Sequence, residues 1–144
     1  MALDRGTRIY ALFLLALVMG LVALALYQPP LVRELNRKLA ADPMLADFPY
    51  RFKVLAVEDH TAVMSTPRSP AMPVARILPL LFPEVAGQDP QSTAFQAAQK
   101  RLARAQAHAR KLVQSDPHIT TVRWQLDRDW LIQHGLQPPA PGLP

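Results

Sequence analysis

The chain contains no cysteine. That absence excludes disulfides, thiol nucleophiles and cysteine-bound metal, but it leaves the compartment open, because an extracytoplasmic domain can do without disulfides. Glycine is also scarce, at five residues. None of the five builds a P-loop or a GxGxxG turn, where the backbone must approach phosphates closely, and no GxSxG elbow is present. The four histidines, His60, His108, His118 and His134, have neither H-x3-H nor HExxH spacing, so each reads as a surface residue and not as a metal ligand. Carboxylates are scattered as well. Glu58 and Asp59 fall in a turn, and Asp127 and Asp129 do not share a helical face. Paired carboxylates need a pocket that perturbs them. The expectation is therefore a protein that is not an enzyme and uses no cofactor and no metal.

Charge narrows the partners. A formal net charge of +5 is mild. It lacks the dense basic clusters and interleaved aromatics of a nucleic-acid binder, and suits an anionic lipid surface or an acidic protein. Proline, by contrast, is abundant, with 15 residues, about twice the usual share of roughly 5%.

What the chain does possess is one long apolar run. Residues 9–27, IYALFLLALVMGLVALALY, carry no charged or amide side chain. As a helix they extend roughly 28 Å, close to the hydrocarbon thickness of a bilayer. Residues 1–8 form a polar tail with Arg5 and Arg8 ahead of the run, the pattern of a signal peptide or an uncleaved signal anchor. Ala23-Leu24-Ala25 offers a cleavage site, but the run exceeds a signal peptide's apolar core, so the expectation is an uncleaved single-pass anchor. Arg5 and Arg8 on one side nearly cancel Arg33, Arg37 and Lys38 on the other in setting orientation. The expected topology is that of a bacterial inner-membrane signal anchor, with the N-terminus cytoplasmic and the domain periplasmic. Ala16, Gly20 and Ala23 lie on one stripe of the helix, where small residues let a partner helix approach.

After Pro29-Pro30, residues 28–136 read as a small membrane-proximal α+β domain. Residues 31–41 form a helix with an apolar stripe of Leu31, Leu35 and Leu39, ended by Asp42-Pro43. Residues 51–66 form a hairpin turning at Glu58-Asp59-His60, with Phe52, Val54 and Ala56 on one face of its first strand and Lys53, Leu55 and Val57 on the other. Apolar residues on both faces require cover on both sides or a partner on one. A proline-rich insertion, residues 67–90, follows. Pro67, Pro70 and Pro73 recur every third residue, as on one face of a polyproline II helix, and act as a stiff connector or a PxxP ligand. Residues 74–85, with Ile77, Leu78, Leu80, Leu81 and Phe82 around most of the circumference and a kink expected at Pro79, form either a buried core helix or an exposed apolar interaction segment.

Residues 92–115 form the long helix, capped by Ser92 or Thr93. Its apolar seam is Phe95, Ala98, Leu102, Ala105, Ala109 and Leu112. Beside it Arg101, Arg104, His108 and Lys111 make a basic stripe, either a solvated face or a surface for anionic lipid or an acidic partner. Asp116-Pro117 ends the helix. Residues 119–126 alternate as a strand, Asp127 caps a short last helix, and residues 137–144 are expected to be a disordered tail. The fold class is thus α+β, a transmembrane helix followed by a three-stranded sheet, hairpin plus one strand, packed by helices.

The segments 57–65, VEDHTAVMS, and 103–126, ARAQAHARKLVQSDPHITTVRWQL, resemble the hairpin and the helix–turn–last strand of a BON domain. The resemblance covers about 60 residues and implies a small non-enzymatic envelope module that contacts phospholipid or protein. The sequence departs from that family at Thr66-Pro67, where a glycine is usual, and in its long proline-rich insertion. The functional expectation is an accessory or interaction protein that binds or stabilises a larger membrane protein complex. The alternative is a lipid-surface module acting through the basic stripe.

Overall fold

The computed structural model describes residues 4–140. The chain divides at Pro30/Leu31 into two compact units. The first holds α1 (Arg5–Leu26), which is exposed along its whole length. It begins four residues before the apolar run, so Arg5 and Arg8 are helical, and Arg8 N–H donates to Asp4 C=O at 3.1 Å. It is the one helix among the described residues long and apolar enough to cross a membrane.

The second unit contains α2 (Pro30–Ala41), α3 (Pro43–Ala46), β1 (Val54–Glu58), β2 (Thr61–Thr66), α4 (Val74–Leu81), a 3-10 turn (Pro83–Val85), α5 (Thr93–Gln114), β3 (Thr121–Leu126) and α6 (Arg128–Gln133). This is the α+β arrangement expected: one sheet, in the order β1-β2-β3, packed by helices. β1 and β2 pair antiparallel through a tight turn in which Asp59 takes φ 53°, a left-handed value that aspartate tolerates better than most residues. β3 joins β2 in parallel. A parallel neighbour cannot be reached by a hairpin, so the chain crosses back through α4 and α5.

The helices bury their apolar faces together with Val54, Ala62, Met64 and Val122 of the sheet. α2 contributes Val32, Leu35 and Leu39. α5 contributes Phe95, Ala98, Leu102, Ala105, Ala109 and Val113. The expected seam therefore holds, except that Val113 and not Leu112 closes it. Ser92 caps α5 by accepting from Phe95 N–H at 3.2 Å. β3 alternates as its sequence predicts, with Val122 buried and Thr121, Arg123 and Gln125 exposed.

Three features depart from the sequence reading. A bulge lies between Val54 and Ala56 in β1. It leaves Leu55 47% exposed and turns Val57 onto the core, which breaks the strict alternation. Secondly, the proline repeat is no polyproline helix. Pro67 is buried, whereas Pro70 and Pro73 are exposed, and Pro70 sits in a turn closed by Met72 N–H donating to Ser69 C=O at 3.1 Å. Thirdly, Pro138 and Pro139 of the expected disordered tail are partly buried, and Arg128 donates to Pro139 C=O. Residues 141–144 of that tail, like residues 1–3, lie outside the described residues.

The two edges of the sheet differ. On β1, Asn36 of α2 mimics a strand: its amide donates to Val54 C=O at 3.0 Å and its carbonyl accepts from Val54 N–H at 2.7 Å. This satisfies the outward backbone groups of Val54 at the start of an edge strand, groups that otherwise invite pairing with another chain. β3, at the other edge, has no such cover among the described residues. Replacing the plug, N36A, is expected to cost about 1–3 kcal/mol, the penalty for unsatisfied partly buried amide groups. Urea unfolding of the detergent-solubilised chain, followed by tryptophan fluorescence, measures it.

Candidate functional site

The residues singled out by sequence fall in three places. Ala16, Gly20 and Ala23 are exposed on α1, and no atom lies within 4 Å of where a Gly20 Cβ would stand, so nothing described in this chain packs against the stripe. The apolar segment goes the other way. Ile77, Leu78, Leu81 and Phe82 are buried in the core, and only Leu80 is partly exposed. Burial against α5 and the sheet removes these side chains from the surface, so the segment is a core helix and not an interaction surface. The chain leaves helical geometry at Phe82 (φ −130°), beyond Pro79, and the 3-10 turn follows.

The basic stripe is divided. Arg101 lies 3.5 Å from Glu84 and 4.3 Å over the Phe82 ring. His108 Nε2 donates to Asp42 Oδ2 at 2.8 Å. Only Arg104 and Lys111 are exposed without an ion pair among the described residues. On α2, Lys38 is held 3.4 Å from Asp116. A structural use thus competes with a surface use along much of this face.

The histidines are occupied too. His60 Nδ1 donates to His118 C=O at 3.0 Å, His118 Nδ1 to Asp116 Oδ1 at 2.9 Å, and His134 Nδ1 to Trp130 C=O at 2.7 Å. No three histidine, aspartate or glutamate side chains converge as metal ligands among the described residues.

One polar site was not visible in the sequence. A cavity of ≈ 770 Å³, a size ordinary for ligand sites, lies between the hairpin base and α6. Its lining includes the buried Tyr50 and Ser65, the partly buried Asp127, and the charged Arg51, Lys53, Arg128 and Asp129. Tyr50 is 1% exposed. Its hydroxyl donates to Asp127 Oδ2 at 2.8 Å. Asp127 also caps α6, accepting from Trp130 N–H at 3.0 Å, and its own N–H donates to Thr66 C=O at 2.8 Å. Ser65 Oγ accepts from Lys53 N–H at 3.1 Å. Burial, reinforced by Asp127, pushes the Tyr50 phenol well above its ordinary value of 10.0. The phenol is therefore a fixed donor and not a base. Chemically the arrangement is a satisfied polar floor among side chains of both charges, a geometry that can recognise a polar group. A hint existed in Asp127 as a helix cap. The cue for its partner, 77 positions away, did not, because Tyr50 belongs to no periodic segment.

The stretches that carry the BON resemblance occupy the β1–β2 hairpin and the α5–β3 connection. No protein-family model, no curated protein and no solved structure matches the chain.

Two pH responses follow. Tyr50 holds its proton when folded and loses it near 10.0 when unfolded, so its contribution is present below that value and is lost as pH rises towards the folded pKa. Y50F should flatten the loss of thermal stability as pH rises above about 10, read by circular dichroism. The Asp42 carboxyl is held below its ordinary 3.8, first by the His108 hydrogen bond and further by the α3 backbone, against partial burial. Its contribution is present above 3.8 and is lost as pH falls through the folded pKa. D42N keeps a capping side chain but removes the charge. It should cost about 0.5–1.5 kcal/mol at neutral pH, and the difference from wild type should shrink in acid melts.

Proposed function

We propose that the protein is a non-enzymatic, membrane-anchored accessory or interaction protein that binds or stabilises a larger membrane protein complex. The observation that carries this reading is α1. It has 22 residues, and none is buried. Such a helix, about 33 Å long, suits a lipid bilayer, where its apolar side chains and satisfied backbone are at ease. The domain behind it has a packed core of its own and an exposed sheet face that includes Leu55. The resemblance to BON modules supports the same reading, and so does the small-residue stripe at Ala16, Gly20 and Ala23. The N-terminus would be cytoplasmic and the domain periplasmic, the usual placement of a short-tailed signal anchor.

The lipid-surface alternative keeps Arg104 and Lys111 as its free cations. The internal pairing of Arg101 and His108 leaves it the weaker of the two.

Affinity purification from native membranes tests the proposal. The protein should resist carbonate extraction and co-migrate with a stable partner on native gels, and G20I should reduce that co-migration. Monomer alone would remove the accessory reading. Binding of the domain to anionic but not neutral vesicles, released by salt, would favour the lipid surface. Topology has a clean assay because cysteine is absent. S115C, at an exposed position, should react with an impermeant maleimide once the outer membrane is opened. Labelling only after lysis would place the domain in the cytoplasm.

A further inference from the structure

On the flank of α5 away from the basic stripe lies a groove of ≈ 620 Å³. The α5 residues Ala103, Ala107 and Arg110 line it together with Arg68, Ser69 and the half-buried Trp124 of β3. Small side chains on the helix keep it open. Its lining holds two arginines and no acidic residue. Arg110 lies 6.0 Å over the Trp124 ring, and neither arginine makes an ion pair among the described residues. Ser69 Oγ is buried and has no hydrogen-bond partner among the described residues, which is uncommon for a native hydroxyl.

The groove adjoins an open strand edge at Trp124. Thr121 N–H and Asp127 N–H turn inward, to His60 C=O at 3.2 Å and Thr66 C=O at 2.8 Å. The strand's period of two then turns the backbone groups of Val122, Trp124 and Leu126 outward. These groups have no partner among the described residues.

We infer that β3 and α5 form a strand-addition site for an extended acidic segment of the partner protein. The segment's backbone would pair with Val122, Trp124 and Leu126, an apolar side chain would rest on Trp124, and a carboxylate would reach Arg68 and Arg110. Backbone pairing supplies affinity in this mode, and alternate side chains supply selectivity. Arginine presents a planar fork matched to carboxylate. A lipid phosphate would satisfy the arginines but leave the strand edge unpaired. A second copy pairing through β3 would bring the arginines of both copies to one seam, where like charges repel. The inference rests on the accessory reading above and names the kind of partner surface it needs.

The test is selection of random seven-residue peptides displayed on phage against the full chain in detergent micelles. Enriched peptides should show an excess of aspartate and glutamate, with apolar residues alternating. Synthetic copies should bind about tenfold or more weakly to R68A/R110A, the loss expected for a charge-assisted contact. Copies N-methylated at alternate amides should lose a similar factor, and this arm needs no protein variant. The inference is overturned if no acidic excess emerges, or if binding ignores either the arginines or the methylation. It is also overturned if phosphatidylglycerol vesicles displace the peptide where phosphatidylcholine vesicles do not, or if sedimentation shows a dimer that R68A/R110A dissolves. A native membrane complex that survives R68A/R110A unchanged would remove this groove and leave the accessory reading standing.

Discussion

A strand can lie parallel to its neighbour only if the chain returns across the sheet, and the pairing of β2 with β3 imposes that path here. The return is made by α4 and α5, so the helices and the core collect on one face. Alanines along α5 let its backbone settle close to the sheet. The opposite face is left to Arg123, Gln125, Thr121 and the bulged Leu55. Arg123 reaches across β2 to Glu58 of β1 at 2.9 Å, but both side chains are exposed, so this pair adds little to stability. Both the packed core and the open surfaces descend from the single crossover.

Three aspartates tie this frame together. Asp42 caps α3 and accepts from His108 of α5. Asp116 follows α5 and binds Lys38 of α2. Asp127 caps α6 and accepts from Tyr50, ahead of β1. Each sits where one helix stops or the next begins, and each reaches a residue more than 60 positions away. Local capping therefore doubles as long-range fastening. That arrangement consumes His108 and Lys38, two cations that otherwise read as surface charge.

How far the sequence discloses this structure depends on whether the signal is periodic. The apolar run of α1, the seam of α5 up to Ala109, the alternation of β3 and the cap at Ser92 are local patterns, and each appears as read. The bulge at Leu55 is not legible, because apolar residues on both faces of β1 mask a one-residue slip. Residues 77–82 are apolar around most of a helix, so only the packed chain shows that they point inward. The proline repeat has the right period for an extended helix, yet the turn at Ser69–Met72 overrides it once Met72 is drawn into the core. The Tyr50–Asp127 contact and the groove at Trp124 join segments far apart in sequence, and no spacing rule announces them.

The unequal edges of the sheet have a consequence for stoichiometry. Asn36 occupies the outward backbone groups of Val54, so the β1 edge is covered at its start. An incoming strand at β3 ends the series if its own far side is covered, and a second copy of this chain can offer only its own β3. Head-to-tail addition through the sheet, the route to open filaments, meets this cover at Val54. Under the inferred strand addition at β3, one incoming strand would complete that edge, and an assembly formed there would hold a defined ratio of subunits.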